Sequence, residues 1–133
     1  MAVDDEMAVL AANTAFYEAF ERRDYDTMSD LWEHSDRVVC THPGWSSLHG
    51  WGKVSGSWVA LLENSQHLQF ILTNELVGVV SDAAWVTVDE NILDGPENNT
   101  VAAMNVFIRD ENSKFGWRIV AHHGSVVHAS AGL

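Results

Sequence analysis

The sequence predicts an α+β fold: one domain, residues 1–133, in which helices pack on one face of a curved, mainly antiparallel sheet. Two patterns support this prediction. Apolar residues recur at helical spacing in the first half of the chain, and β-rich runs separated by turn signals fill the second half from Gln66 onward. With 133 residues, 47% of them hydrophobic, the chain is long enough to bury one core.

Three helices are predicted before the sheet. The first covers residues 4–23 and carries its apolar residues on one face. This face comprises Val9, Asn13, Phe16, Tyr17 and Phe20. Asp24 is a typical N-cap for a short second helix, and a third helix is expected from about Gly52 to Glu63. A strand at 37–41 lies between the second and third helices.

Four β-rich runs follow the helices. They cover residues 67–80, 84–94, 100–109 and 115–127, and turn signals separate them at 81–82, 94–99 and 110–113. Because each run joins the next by a short turn, we expect consecutive antiparallel hairpins. Several runs carry apolar residues on both faces, and such a sheet must be covered on both. The helices cover one face, so the sequence predicts a homodimer through the other.

Composition excludes several classes of partner. The formal charge of −12 argues against nucleic acid and against anionic membrane surfaces, which attract basic patches. No segment approaches the roughly 20 apolar residues of a membrane span, and the acidic N-terminus does not resemble a signal peptide. We therefore expect a cytoplasmic protein. Its single cysteine, Cys40, lies in an apolar strand pattern and is predicted to be buried and inert.

One short connection concentrates unusual residues. Residues 38–51 read VVCTHPGWSSLHGW, with two histidines, two tryptophans and a proline. Val38, Cys40 and His42 alternate onto one face of the preceding strand. Pro43 sets a tight turn that is compatible with a trans or a cis bond. The segment is either a closely packed corner or the mouth of a binding pocket.

Three stretches carry a family resemblance: FYEAFERRDYDTMSDLW (16–32), HPGW followed by LHG (42–50), and GWRIVAHHGS (116–125). In this order, over essentially the whole chain, they resemble the nuclear transport factor 2-like superfamily, in its SnoaL-like and ketosteroid-isomerase-like branch. The resemblance implies a cone-shaped fold whose helices lie on the concave face of the sheet and enclose an apolar pocket. This fold hosts both enzymes and association domains, so it does not imply one function.

The resemblance also suggests catalytic positions. In ketosteroid isomerases an acidic general base stands before the proline of this corner, where the present chain has His42, and imidazole transfers protons near neutral pH. Those enzymes also use a tyrosine on the first helix and a protonated aspartate on a late strand as donors to an oxyanion. The corresponding candidates are Tyr17, with Phe16 nearer by count, and Asn105. Since the two acidic residues are missing, steroid isomerisation is not expected.

Further residues are candidates for ligand binding. Asn13 is a polar residue on an apolar helix face, Trp45 or Trp51 can form an aromatic wall, and Trp58 is either pocket wall or core. His122 and His123 are neighbours on one strand and must face opposite sides. Simple alternation groups His123 with Trp117, Ile119, Ala121 and Ser125 and places it in the cavity. The histidines show no metal-ligand spacing, so neither a metal nor a cofactor is expected.

Two functional hypotheses follow. In the first, the protein binds a small apolar molecule bearing a carbonyl or hydroxyl, and performs cofactor-independent isomerase, cyclase or dehydratase chemistry with His42 as proton-transfer group. In the second, it is a non-catalytic dimeric module for ligand binding or protein association. An enzyme requires a cavity on which His42 and another polar group converge, whereas a module allows tryptophans to fill that space.

Overall fold

The chain forms three helices and six strands in the residues described by the computed structural model, which are 2–64, 68–93 and 98–128. The helices are α1 (Ala2–Arg22), α2 (Tyr25–Leu31) and α3 (Trp51–Asn64). The strands are β1 (Val39–Thr41), β2 (Leu48–His49), β3 (Phe70–Val80), β4 (Ala83–Leu93), β5 (Asn98–Arg109) and β6 (Trp117–Val126). The start of the predicted run 67–80 and the predicted turn at 94–97 lie outside the described residues.

All six strands form one curved sheet in the order β2-β1-β6-β5-β4-β3. The hairpins β3–β4, β4–β5 and β5–β6 are antiparallel, and β1 joins the sheet parallel to β6. The helices pack on one face of this sheet, here called the inner face, and the opposite face is the outer face. The predicted α+β class with helices against a mainly antiparallel sheet is confirmed. None of the described helices is long and apolar enough to cross a membrane.

Local backbone geometry and capping explain where α1 ends and where α2 begins. Asp24 is the N-cap of α2: its side chain accepts a hydrogen bond from the Thr27 amide at 3.1 Å. Arg23, just before it, has a positive φ of 55°, which ends α1 and turns the chain. Asp24 is therefore the N-cap that the sequence predicted, and the short connection holds α2 beside α1.

The corner after β1 is a tight turn. The Trp45 amide donates to the His42 carbonyl at 2.9 Å, with Pro43 in second position and Gly44 at φ 84° in third. This residue pattern is typical of a type II turn, in which the third position requires a positive φ. The Pro43 bond is trans. The turn leads into β2, a two-residue strand that pairs with β1 and that is too short to show a periodic pattern.

A β-bulge in β6 changes the alternation of its side chains. The register pairs Val106 with Ala121 but Phe107 with Ile119, so Val120 has no opposite residue. Trp117 and Ile119 before the bulge are buried on the inner face, and the buried residues after it are His122 and Gly124. The expectation that His123 faces the cavity is therefore corrected: the bulge turns His122 inward and His123 outward.

Candidate functional site

A cavity of about 140 Å³ lies between the helices and the inner face of the sheet. Its wall is mostly apolar but contains three buried polar side chains, those of His42, Glu90 and His122. The other lining residues are Phe20, Pro43, Trp45, Leu61, Leu68, Phe70 and Ile92. Among the described residues that line it there is neither lysine nor arginine, so this part of the wall offers no cation to hold an anionic group.

His42 reaches the cavity from the corner after β1. Its Nε2 lies 2.9 Å from the Ser57 hydroxyl oxygen, and that hydroxyl donates its one hydrogen to the Val54 carbonyl at 2.7 Å. Ser57 must therefore accept from His42, which places the imidazole proton on Nε2 and the lone pair on Nδ1. Burial lowers the pKa of His42 to about 4, so the ring is neutral at physiological pH. The site thus holds an imidazole with one basic nitrogen.

Glu90 is a buried carboxyl on the inner face of β4, where it is only 4% exposed. Its Oε2 accepts a hydrogen bond from the Tyr17 hydroxyl at 2.5 Å, and its Oε1 has no partner within residues 2–64, 68–93 and 98–128. Burial raises the pKa of Glu90 to about 7, partly opposed by the bond from Tyr17. A carboxyl of this kind exchanges a proton near neutral pH, which is the property required of a general acid or base.

Sequence reasoning did not single out Glu90. A signal was present, because Ala84, Val86, Val88 and Glu90 alternate along β4, and the first three are apolar. A carboxylate that continues the apolar series of a strand points toward the core. Its neighbours Asp89 and Asn91 lie on the outer face of the same strand.

His122 is the third polar group of the cavity and is only 3% exposed. Its Nδ1 lies 2.5 Å from the Asn105 side-chain oxygen, and its Nε2 has no hydrogen bond to any residue that the structure describes. Burial, with a smaller contribution from the nearby His42 and His123, lowers the pKa of His122 to about 3. His122 is therefore neutral at physiological pH, like His42.

A layer of polar residues lies behind the cavity wall. Tyr17 donates to Glu90, and the Asn105 amide donates to the Asn13 oxygen at 2.8 Å and to the Tyr17 oxygen at 3.3 Å. Asn13, Tyr17 and Asn105 were expected to touch the ligand, but none of them lines the cavity. Asn13 donates to Glu75, Tyr17 donates to Glu90, and Asn105 donates to the other two, so the three residues support the site from behind.

The two tryptophan candidates occupy different places. Trp45 is 44% exposed and is the one exposed residue of the cavity wall, so it marks the mouth. Its ring meets the His42 ring edge-on with centroids 4.9 Å apart. Trp58 is fully buried, packs edge-on against Phe16 at 5.5 Å, and belongs to the core rather than to the cavity wall. His123 lies on the outer face, away from the site. Among the described residues, no group of three or more metal-ligating side chains converges.

Comparison with known structures places this geometry among related proteins. The chain is 43% identical to a proposed dehydratase of the NTF2-like family from Streptomyces avermitilis, with a TM-score of 0.84 and coverage of 94% of this chain and 97% of that one. It is 31% identical to a proposed calcium/calmodulin-dependent protein kinase type II association domain from Thiobacillus denitrificans, with a TM-score of 0.79 and coverage of 89% and 94%. A cystatin-like protein from Caulobacter vibrioides, 12% identical with a TM-score of 0.78, covers 93% of this chain and 90% of its own length and shares the fold.

Among proteins of curated function, none matches the chain. The SnoaL-like domain family matches residues 9–129, which is nearly the whole chain. The fold, the strand order and this match agree with the resemblance noted in the sequence. The chain belongs to the SnoaL-like domain family of the nuclear transport factor 2-like superfamily.

Proposed function

We propose that this protein binds a small neutral molecule bearing a hydroxyl or carbonyl group in the cavity, and moves a proton within it without a cofactor. One observation carries the proposal. Two polar atoms without a hydrogen-bond partner among the described residues, Glu90 Oε1 and His122 Nε2, belong to side chains of one apolar cavity together with His42, whose Nδ1 has only the weak partner Cys40 Sγ at 3.9 Å in the same part of the chain. Buried polar groups are normally paired, so unpaired ones on a common cavity are typical of a ligand site.

The hydrogen bonds favour His42 as the general base and Glu90 as the general acid. His42 is neutral and keeps a lone pair on Nδ1, which suits a general base. Since Tyr17 donates to Oε2 of Glu90, a proton carried by Glu90 sits on Oε1, the oxygen left for the ligand. A base that removes a proton beside a carbonyl and an acid that protonates a hydroxyl together expel water. The proposed dehydratase at 43% identity is consistent with this class, and isomerisation needs the same two groups.

Cavity size restricts the ligand. A cavity of about 150 Å³ in another protein accommodates one benzene molecule, and the present cavity is of similar size at about 140 Å³. The ligand therefore has roughly six to eight non-hydrogen atoms. A four-ring steroid is far too large, in agreement with the missing acidic residues of the steroid isomerases.

The test begins with the ligand. Native mass spectrometry of freshly purified protein, followed by denaturing extraction, identifies a co-purified compound, whose turnover is then measured. We expect His42→Gln to lower turnover by about 10²- to 10⁴-fold while retaining ligand, because glutamine can still bond Ser57 but supplies no base. His49→Gln, an exposed histidine of β2, is the matched control and should leave turnover unchanged. Ligand binding with undiminished turnover in His42→Gln would remove His42 from the mechanism.

The second candidate function, an association module, is favoured by the outer face of the sheet. Leu76 is 69% exposed and Met104 45%, and the register aligns Leu76, Thr87, Met104 and His123 in one row across four strands. This row carries no carboxylate in a chain of net charge −12. A second copy is the occupant that fits, since two identical acidic chains meet with least repulsion along a row without carboxylates; Asp89 lies on the same patch but outside this row. The similarity to a proposed association domain supports this assembly.

Dimerisation through the outer face predicts a simple result. Met104→Glu places two like charges in the interface, at a cost on the order of a few kcal/mol, and should yield monomers at micromolar concentration. Met7→Glu makes the same change at an exposed methionine on α1 and should leave the dimer intact. Light scattering after size-exclusion chromatography measures both. A monomeric wild type would contradict the dimer without affecting the proposed chemistry.

A further inference from the structure

A chain of side-chain hydrogen bonds connects the surface to the cavity. It consists of Glu75, Asn13, Asn105 and His122, and is called the polar chain below. Asn13 donates to Oε2 of Glu75 at 2.8 Å, Asn105 donates to the Asn13 oxygen at 2.8 Å, and the Asn105 oxygen lies 2.5 Å from His122 Nδ1. Glu75 is exposed on β3, whereas Asn13 and Asn105 are fully buried.

The direction of every bond in the polar chain follows from its first member. A carboxylate oxygen only accepts, so Asn13 must turn its amide NH₂ to Glu75 and its oxygen to Asn105. Asn105 must then donate to Asn13, which leaves its own oxygen for His122. An amide oxygen only accepts, so His122 carries its proton on Nδ1. Its Nε2 therefore presents a lone pair.

We propose that Glu75 is a remote positioning residue, which fixes His122 as a hydrogen-bond acceptor and thereby selects a small neutral alcohol as the ligand of the cavity. The choice of ligand rests on the proposed function, whereas the state of His122 does not. His42 also offers a lone pair, at Nδ1, so both imidazoles of the cavity accept. A hydroxyl group supplies a donor to an imidazole and still accepts from Glu90, whereas a ketone supplies no donor.

Reversing the first bond should reverse the chain. In Glu75→Lys the ammonium group donates to Asn13, both amides turn over, and Asn105 presents NH₂ to Nδ1 of His122. The imidazole proton then moves to Nε2. Because Glu75 is exposed, this variant changes a surface position, and Glu111→Lys makes the same change of charge in an exposed turn outside the polar chain.

Long-range ¹H–¹⁵N correlation spectra of the imidazoles at neutral pH read these states without any ligand. We expect a protonated Nδ1 in His122 of the wild type and of Glu111→Lys, and a protonated Nε2 in Glu75→Lys. A protonated Nε2 in the wild type would overturn the proposal. An unchanged His122 in folded Glu75→Lys would equally remove Glu75 from its role.

The ligand class is tested with cyclohexanol and cyclohexanone, which differ in one donor and match the cavity in size. In NMR titrations of the wild type we expect cyclohexanol to bind about two- to tenfold more tightly, the worth of one net hydrogen bond. Glu75→Lys should lose or reverse this preference. Equal or tighter binding of the ketone to the wild type would overturn the ligand class, even if His122 is protonated as expected. If His42→Gln does not lower turnover, the proposed proton transfer by His42 is wrong. The position of the His122 proton and the preference for the alcohol are measured independently of that result.

Discussion

Glu90→Gln is expected to stabilise the protein by about 3 kcal/mol above pH 8, although it removes a group from the candidate site. The fold holds the pKa of Glu90 at about 7, compared with 4.5 for an ordinary glutamate. Between these values the folded chain binds more protons than the unfolded chain, so the free energy of unfolding falls as pH rises. Glutamine stays neutral in both states and keeps an oxygen to accept from Tyr17.

The measurement is urea unfolding of wild type and variant between pH 4 and 9. Below about pH 4.5 the two proteins should differ little; the gap should open through pH 7 and level off above it. Glu63→Gln, an exposed glutamate on α3, should follow the wild type. Parallel profiles for wild type and Glu90→Gln would show that Glu90 is not the group penalised by burial. A gain in stability together with a loss of turnover is the pattern expected of a site residue kept at a cost to the fold.

Trp58→Ala is expected to lower the free energy of unfolding by about 3–5 kcal/mol, as for other large aromatic side chains deleted from a core. The Trp58 ring is fully buried and lies with its centroid 5.1 Å from Phe20 and 4.8 Å from His42. Removing it leaves a void that its neighbours cannot fill and releases the ring that holds His42 in place. Urea unfolding at a pH where the wild type is fully folded gives the value.

Trp45→Ala is the matched control, because it removes the same side chain from the mouth of the cavity. Trp45 is partly in solvent already, so we expect a loss below about 1 kcal/mol. It should instead weaken retention of a ligand, since the mouth is widened. Equal destabilisation by both changes would contradict the assignment of Trp58 to the core and Trp45 to the rim.

Much of the fold was predictable because local sequence patterns determine it. The apolar face of α1 and the N-cap at Asp24 are short-range features, and turn residues mark the hairpins. Besides the bulge in β6, two features were not predicted. The strand β2 has two residues and exists because β1 beside it offers backbone partners. The parallel pairing of β1 with β6 joins residues about eighty positions apart, for which neither segment carries a local signal.

The candidate site was predictable only in part, for the same reason. His42 was identified from the alternation before the corner and from the family resemblance, and the structure places it on the cavity. Tyr17 and Asn105 were located on the correct elements, but the sequence does not show that they donate to Glu90 and Asn13 instead of to a ligand. Hydrogen-bond partners distant in sequence decide which polar groups are left for a ligand.

The bulge at Val120 places two adjacent histidines on opposite faces of the sheet, although regular alternation along the strand would give each the other face. One residue of extra length puts His122 in the cavity and His123 on the surface proposed for the second copy. Deleting Val120 would remove the unpaired residue and leave both histidines where they are, because Ala121, His122 and His123 keep their partners on β5. If Val120 stayed and the bulge lay beyond His123 instead, regular alternation from Ile119 would turn His122 outward and His123 inward. The position of the bulge along the last strand therefore decides which histidine reaches the cavity, with no substitution at the site itself.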